Sequence, residues 1–376
     1  MITNVEFEEI RPYIGTEVSA AIQRIVKYDL FFDVLQYFFP EISRAEMKSL
    51  VKDIHTTYDF QRQIMHTGIR RMINTSSKGL TYTGFERIDP DKAYVYISNH
   101  RDIFLDSGIL QVLLVEHEID TTQITFGSNL MQLPLITDLG KINKMFTVFR
   151  GGSRREQYEH AKRLSAYIRQ VISLEKESVW IAQRSGRTKD GNDQTQVGLV
   201  NMLLASDRKD FVGSLSRLNI VPMAISYEYE PCDYLKVQEL YDSIDKTYIK
   251  KSGEDLQSII AGVVEPKGHI HLALGKPIEE AHLQEIYDNY DKQDRCRQLA
   301  QSIDREIYTH YKLWPTNYIA ADMHSGQTKY TDHYSREEYQ NFDAYIKQRL
   351  QRLTGDQEIM RQMFLEMYAN PVYNRP

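Results

Sequence analysis

The chain has 376 residues, enough for one large domain plus a smaller one around a sizeable buried core. A net charge of -6, with 41% hydrophobic and 26% charged residues, is the balance of a globular protein and argues against wholesale nucleic-acid binding. No apolar run approaches the roughly 20 residues a membrane-spanning helix needs; the nearest, Leu30-Phe31-Phe32 to Phe38-Phe39, is interrupted by Asp33 and Gln36.

Glu6, Glu8 and Glu9 stand where a secretory leader would be basic, so no leader is expected. Residues 1–80 read as helices: Ile22, Ile25, Val26, Leu30, then Val34, Leu35, Phe38 recur at three- and four-residue intervals, and Pro40 closes the segment. The aromatic helix around Phe31, Phe32, Phe38 and Phe39 is expected to be buried, with contact to a lipid surface as the alternative. From about residue 81 apolar and polar residues alternate instead. Strands are expected at 81–85, 93–98, 123–127, 145–149, 178–182, 220–226 and 269–274, with helices at 104–117, 154–175 and 196–206 between them. This alternation predicts an α/β fold, a mostly parallel sheet flanked by helices, over 81–280. Residues 281–376 return to helical text, giving helical N-terminal and C-terminal extensions that pack on the core or form a lid. Cys232 and Cys296 make no disulfide or metal pattern, which favours a reducing cytoplasm.

Ligands of such sheets sit at the carboxyl ends of the strands, and His100, Arg150 and Arg187 each follow a predicted strand. In Ser98-Asn99-His100-Arg101-Asp102-Ile103-Phe104-Leu105-Asp106, a histidine is launched from a buried strand with carboxylates close behind. Such a pair can take a proton from an alcohol; the bland alternative is that Asp102 caps the next helix. Phe146-Thr147-Val148-Phe149-Arg150-Gly151-Gly152 offers a guanidinium and free N–H groups to an anion, or is a basic turn. Arg184-Ser185-Gly186-Arg187-Thr188-Lys189 reads as a phosphate-holding loop or a solvated turn. Val221-Pro222 to Tyr227 is an apolar strand without evident chemistry, its pairing restricted by Pro222. Residues 141–170 hold eight Lys and Arg against Glu156 and Glu159, a zone suited to an anionic ligand, an anionic membrane or an acidic carrier protein.

In their order and spacing these blocks resemble the glycerolipid acyltransferase family, which includes glycerol-3-phosphate and lysophosphatidate acyltransferases. Asn99-His100-Arg101 with Asp106 is similar to its His-plus-Asp block, Phe146 to Arg150 to its second, Arg184 to Arg187 to its third, and Val221-Pro222 with Ile225 to its fourth. Ser-Asn-His-Arg-Asp with Trp-Ile-Ala-Gln-Arg is similar to a bacterial branch described as glycerol acyltransferases. The resemblance implies that His100, supported by Asp106, is the base that activates an acceptor hydroxyl toward a fatty acyl thioester of coenzyme A or acyl carrier protein. It implies that Arg150 and Arg187, with Arg101, Ser185, Gly186 and Lys189, hold a phosphorylated glycerol or lysolipid. No metal or cofactor is called for, and the place of work is cytoplasmic, peripheral on the inner face of the cell membrane. Two departures stand out. Five residues rather than the usual four separate His100 from Asp106, which a loop must absorb, leaving Asp102 as the alternative acid. Ser185 replaces the family's glutamate. A catalytically weak acyl-binding relative and a thioester hydrolase are the rival readings.

Overall fold

A computed structural model describes residues 7–131, 133–244, 248 and 253–376. The three- and four-residue recurrence of apolar side chains builds α1 (Thr16–Ile25), α2 (Asp29–Phe38) and α3 (Arg44–Lys52), the last opened by a reciprocal Ser43–Glu46 cap. A further helix begins as α4 (Thr57–Asp59), passes through a π-helical stretch at Phe60–His66, and ends as α5 (Thr67–Ser76). Phe31, Phe32, Phe38 and Phe39 all point into the core, as expected. The outer face of α2 carries Leu30, Val34 and Tyr37 instead.

The core alternates β1 (Gly79–Thr83), β2 (Val95–Ser98), α6 (Leu105–Glu116), β3 (Gln123–Gly127), α7 (Pro134–Ile142), β4 (Met145–Val148), α8 (Arg154–Gln170), β5 (Val179–Ala182), α9 (Val197–Leu203), α10 (Phe211–Ser216) and β6 (Ile220–Tyr227). After β6 the chain makes α11 (Asp233–Asp242) and α12 (Glu254–Val264) before β7 (His269–Leu274). The sheet order is β1-β7-β6-β2-β5-β3-β4, parallel except where β7 runs against β6. The predicted strands are all present, with β1 starting two residues earlier than expected. Pro222 does not push β6 to an edge. The antiparallel ladder with β7 begins one residue beyond it, at Met223, so no ladder bond is asked of the missing N–H.

Both faces are covered, as a parallel sheet requires. Tyr96, Trp180 and Val221 pack with the N-terminal helices and α6, while Val95, Ile181 and Ile220 pack with α8 and α9. The C-terminal region divides. Helices α13 (Glu280–Asn289) and α14 (Arg295–His310) close the second face of the sheet, contributing Leu283, Leu299 and Ile303. Helices α15 (Pro315–Ser325), α16 (Arg336–Leu350) and α17 (Gln357–Tyr373) form a third cluster, around Phe342, Phe364 and Tyr368, joined by Tyr234 and Val237 of α11. No helix of the described residues is long and apolar enough to cross a membrane.

Candidate active site

The loop from β2 to α6 is held by its own polar side chains. Asn99 brackets β6, accepting from the Ile225 N–H and donating to the Ile225 carbonyl and to Asp193. Asp102 Oδ1 accepts from the N–H groups of Phe104 and Leu105, so this carboxylate caps α6. Burial, then the nearby Asp106, raises the Asp102 pKa. Asp106, in the first turn of α6, does the other work. Its Oδ2 faces His100 Nδ1 at 3.0 Å and accepts from the N–H groups of Arg101 at 2.6 Å and Asp102 at 2.9 Å. The extra residue is thus absorbed by a turn whose peptide N–H groups close on the carboxylate they span. Asp106, not Asp102, is the acid at the histidine.

With Nδ1–H donated to Asp106, His100 carries its lone pair on Nε2. The ring lies edge-on to Trp180 and lines a cleft with room for about 310 Å³ of solvent. One part of the wall is apolar, with Ile103, Phe126, Leu130, Val148 and Leu199. The other is polar and gathers the strand-end residues: Arg150, Arg184, Ser185, Gly186, Arg187 and Lys189. Five of the expected substrate-binding residues therefore meet at His100, because parallel strands end on the same edge of the sheet.

The cations differ in how far they are already occupied. Burial lowers the pKa of Arg150, against the opposing charge of Asp255. Lys189 is paired with Glu239. Arg187 is largely buried and donates from Nη2 to Ser258 at 3.0 Å, while its Nη1 has no partner among the described residues. Arg184 Nε is likewise buried and unpartnered there. Ser185 is exposed, its N–H held by Gln196. Glu239 of α11 and Asp255 of α12 also line the cleft, and sequence reasoning missed both. The insertion between β6 and β7 carries no motif that would have marked them.

Arg101 is the correction. It does not reach the cleft; its side chain, 1% exposed, turns the opposite way from His100. Its guanidinium donates to Asp193 Oδ2 at 2.5 and 3.0 Å, to Glu230 Oε2 at 3.1 Å and to the Gly191 carbonyl at 3.2 Å, and lies over the Tyr311 ring. Against the cost of burial, Asp193 and Glu230 hold its pKa well above the ordinary arginine value. Lys236 completes the network, reaching Glu230 at 2.5 Å and the Arg101 carbonyl at 2.7 Å. Neighbours in a loop can point to opposite sides, so adjacency to His100 in sequence does not bring a cation into the cleft. The loop after Lys189 is fixed by Gly191, at φ 75° and pressed against the Met367 carbonyl where any side chain would clash, and by Asn370, which donates to the Asp190 carbonyl.

Two further expectations change. The fourth block is not without chemistry: Tyr227, the last residue of β6, donates to Asp106 Oδ1 at 2.9 Å. A phenol ending an otherwise apolar strand was the available signal. Nor do the cations of 141–170 form one zone. Lys141 is buried against the carbonyls of Glu9 and Arg11, Lys144 pairs with Glu177, and Arg169 binds Ser214 and Leu203, leaving Arg154, Arg155 and Lys162 outermost.

Residues 79–226 match the Acyltransferase family. Among solved structures the chain is similar to the 1-acyl-sn-glycerophosphate (LPA) acyltransferase PlsC from Thermotoga maritima, at 14% identity and a TM-score of 0.39, over 77% of this chain and 92% of that one. None of the curated proteins compared matches the sequence.

Proposed function

We propose that this chain, whose residues 79–226 belong to the acyltransferase family, moves a fatty acyl group from a thioester to a hydroxyl of a glycerophosphate or lysolipid. The observation that carries the reading is a histidine held by a buried carboxylate at the junction of an apolar wall and a cluster of arginines. An amphiphile with an anionic headgroup and an acyl chain suits that junction.

His100 Nε2 takes the proton of the acceptor hydroxyl, and the oxygen attacks the thioester carbonyl carbon. The tetrahedral intermediate collapses, the carbon–sulfur bond breaks, and the departing thiolate recovers the proton from His100. Asp106 keeps the ring in the productive tautomer and offsets the imidazolium charge. Arg187 Nη1 and Arg184 Nε supply unspent donors for the acceptor phosphate, with Arg150 beside them. Lys189 joins only if the phosphate competes with Glu239. Alignment of two bound reactants supplies much of the rate. The donor is acyl coenzyme A or acyl carrier protein, with no further cofactor, and the acceptor is met at a membrane surface on the cytoplasmic side.

The test is purified protein offered glycerol-3-phosphate, lysophosphatidate and other lysolipids with each thioester donor. Labelled acyl chain should appear on an acceptor, and His100→Ala should abolish the transfer while leaving the circular dichroism spectrum unchanged. Transfer at wild-type rate by that variant refutes the mechanism. Acceptor-independent release of free fatty acid would identify a hydrolase instead.

A further inference from the structure

We infer that Tyr227 is a positioning residue for the base: its hydroxyl, bound to the second oxygen of Asp106, sets how tightly that carboxylate holds the proton of His100. Tyr227 ends β6 and is 1% exposed, packed in the core cluster that joins the sheet to the N-terminal helices. Its hydroxyl meets Asp106 Oδ1 at 2.9 Å, while His100 and two loop N–H groups share Oδ2. Among the described residues, Tyr227 is thus the one hydrogen-bond donor on Oδ1, and the one side chain besides His100 that hydrogen-bonds the carboxylate.

The consequence follows from dividing one negative charge among its donors. A carboxylate stabilised on Oδ1 pulls less on the proton at Oδ2, so the phenol moderates the basicity of His100. Burial keeps the phenol protonated, its pKa well above 10, so the donor is present across any working pH. The other groups around the pair are fixed. Asp102 caps α6 through Oδ1, its Oδ2 having no partner among the described residues and its charge offset by Arg187, while Glu230 is bound to Arg101 and Lys236, and Tyr311 lies against the guanidinium of Arg101. Lys267, whose charge acts on Asp102, is bound to Ser76 and to the carbonyls of Val263 and Glu265. Arg150, Arg184, Arg187, Lys189, Glu239 and Asp255 face His100 across the cleft and are untouched by a change at 227.

This inference rests on His100 as the base, but its main test needs no turnover. Histidine rings labelled with ¹⁵N are titrated by NMR in wild type and in Tyr227→Phe, the His100 signals being those lost in His100→Gln. Loss of the hydroxyl should raise the pKa of His100 by roughly half a unit to one unit, since part of a charge-assisted hydrogen bond is transferred to the imidazolium. Where the wild type transfers acyl groups from palmitoyl coenzyme A to lysophosphatidate, kcat of the variant at acid pH should fall about threefold to tenfold, the factor by which that shift lowers the unprotonated fraction of the base, with KM within twofold. A His100 titration that superimposes on wild type in a folded Tyr227→Phe overturns the inference. Should that variant not fold, 3-fluorotyrosine installed at position 227 keeps the shape and makes a stronger donor; it must lower the His100 pKa, and no change again overturns the inference. Absence of transfer to every acceptor would defeat the function proposed above, while the titration would still decide the role of Tyr227.

Discussion

Arg101→Met should loosen the whole fold and leave acceptor affinity nearly untouched. The guanidinium binds Asp193, Glu230 and the Gly191 carbonyl, and the site is 1% exposed. Removing it leaves Asp193 buried without a cation and Glu230 with Lys236 alone, and breaking a buried ion network on one side costs about 3–5 kcal/mol. Unfolding entropy of roughly 2.1 cal/mol/K per residue amounts, over 376 residues, to about 0.8 kcal/mol per kelvin. The melting temperature should therefore drop by about 4–6 °C. Methionine keeps most of the aliphatic stem and loses the guanidinium that lies over Tyr311, so the loss reports the charged group more than the volume. Calorimetry gives the shift, and initial rates with lysophosphatidate should give a KM within about threefold of wild type. Adding Asp193→Asn restores equal numbers of buried positive and negative groups and should recover part of the lost stability, a non-additivity expected of groups in contact. An unchanged melting temperature with a raised KM would refute this account and return Arg101 to the acceptor.

Arg187→Gln removes a cation from the wall of the cleft, and the KM for lysophosphatidate should rise about tenfold with kcat little changed, the value of one charge-assisted bond; an unaltered KM would take the phosphate elsewhere. Glu239→Gln releases Lys189, so the KM should fall a few fold at low salt and less at high salt; a rise would mean that Glu239 serves to hold Lys189 in place. Asp304 supplies the pH dependence: burial raises its carboxyl from 3.8 to about 6, opposed by a hydrogen bond from Thr195. The folded state binds this proton more tightly than the unfolded chain, so the stability it contributes is full below about pH 4 and lost as pH rises through 6. Asp304→Asn keeps the acceptor for Thr195 without the charge. Wild type and variant should differ little near pH 4, and the variant should be more stable by about 2–3 kcal/mol at pH 7. A stability difference that does not change between these pH values would refute the assignment.

What could be read from the sequence was what depends on periodicity and on parallel topology. Alternation marked the strands, and because parallel strands end together, His100, Arg150 and Arg187 could be expected to meet although 50 and 37 residues separate consecutive members. What could not be read depends on which way a side chain leaves a loop, or on distant chain. Arg101 and His100 are neighbours, yet one is buried in an ion network and the other opens to solvent. Asp102 and Asp106 are told apart only by a turn whose N–H groups choose one of them. The crowd of cations at 141–170 is dense along the chain but not in space, since helix α8 and the ends of β4 send them in different directions. Tyr227 needed the sheet order, which sets the end of β6 beside the loop that follows β2.

The same dependence on distant chain explains why the acyltransferase-matching segment is only part of the site. Residues 79–226 supply His100, Asp106 and four cations of the cleft, but the polar wall is completed by the insertion before β7. Ser258 holds Arg187, Glu239 holds Lys189, and α12 approaches so closely that a side chain on Gly262 would collide with Asp102. That insertion is in turn tied to the C-terminal helices. Asp233, fully buried at the start of α11, receives Tyr345 and Tyr368, while Arg349 and Arg352 clasp Glu265 just beyond α12. From the other side, Asn370 of α17 grips the loop that follows Lys189. The position of the cleft cations relative to His100 is therefore set by α11, α12, α16 and α17 as much as by the sheet. A change in those helices should be felt chiefly as altered acceptor KM, because the His100–Asp106 pair itself is held by β2, β6 and α6, and α11 reaches its loop through Lys236 on the Arg101 carbonyl.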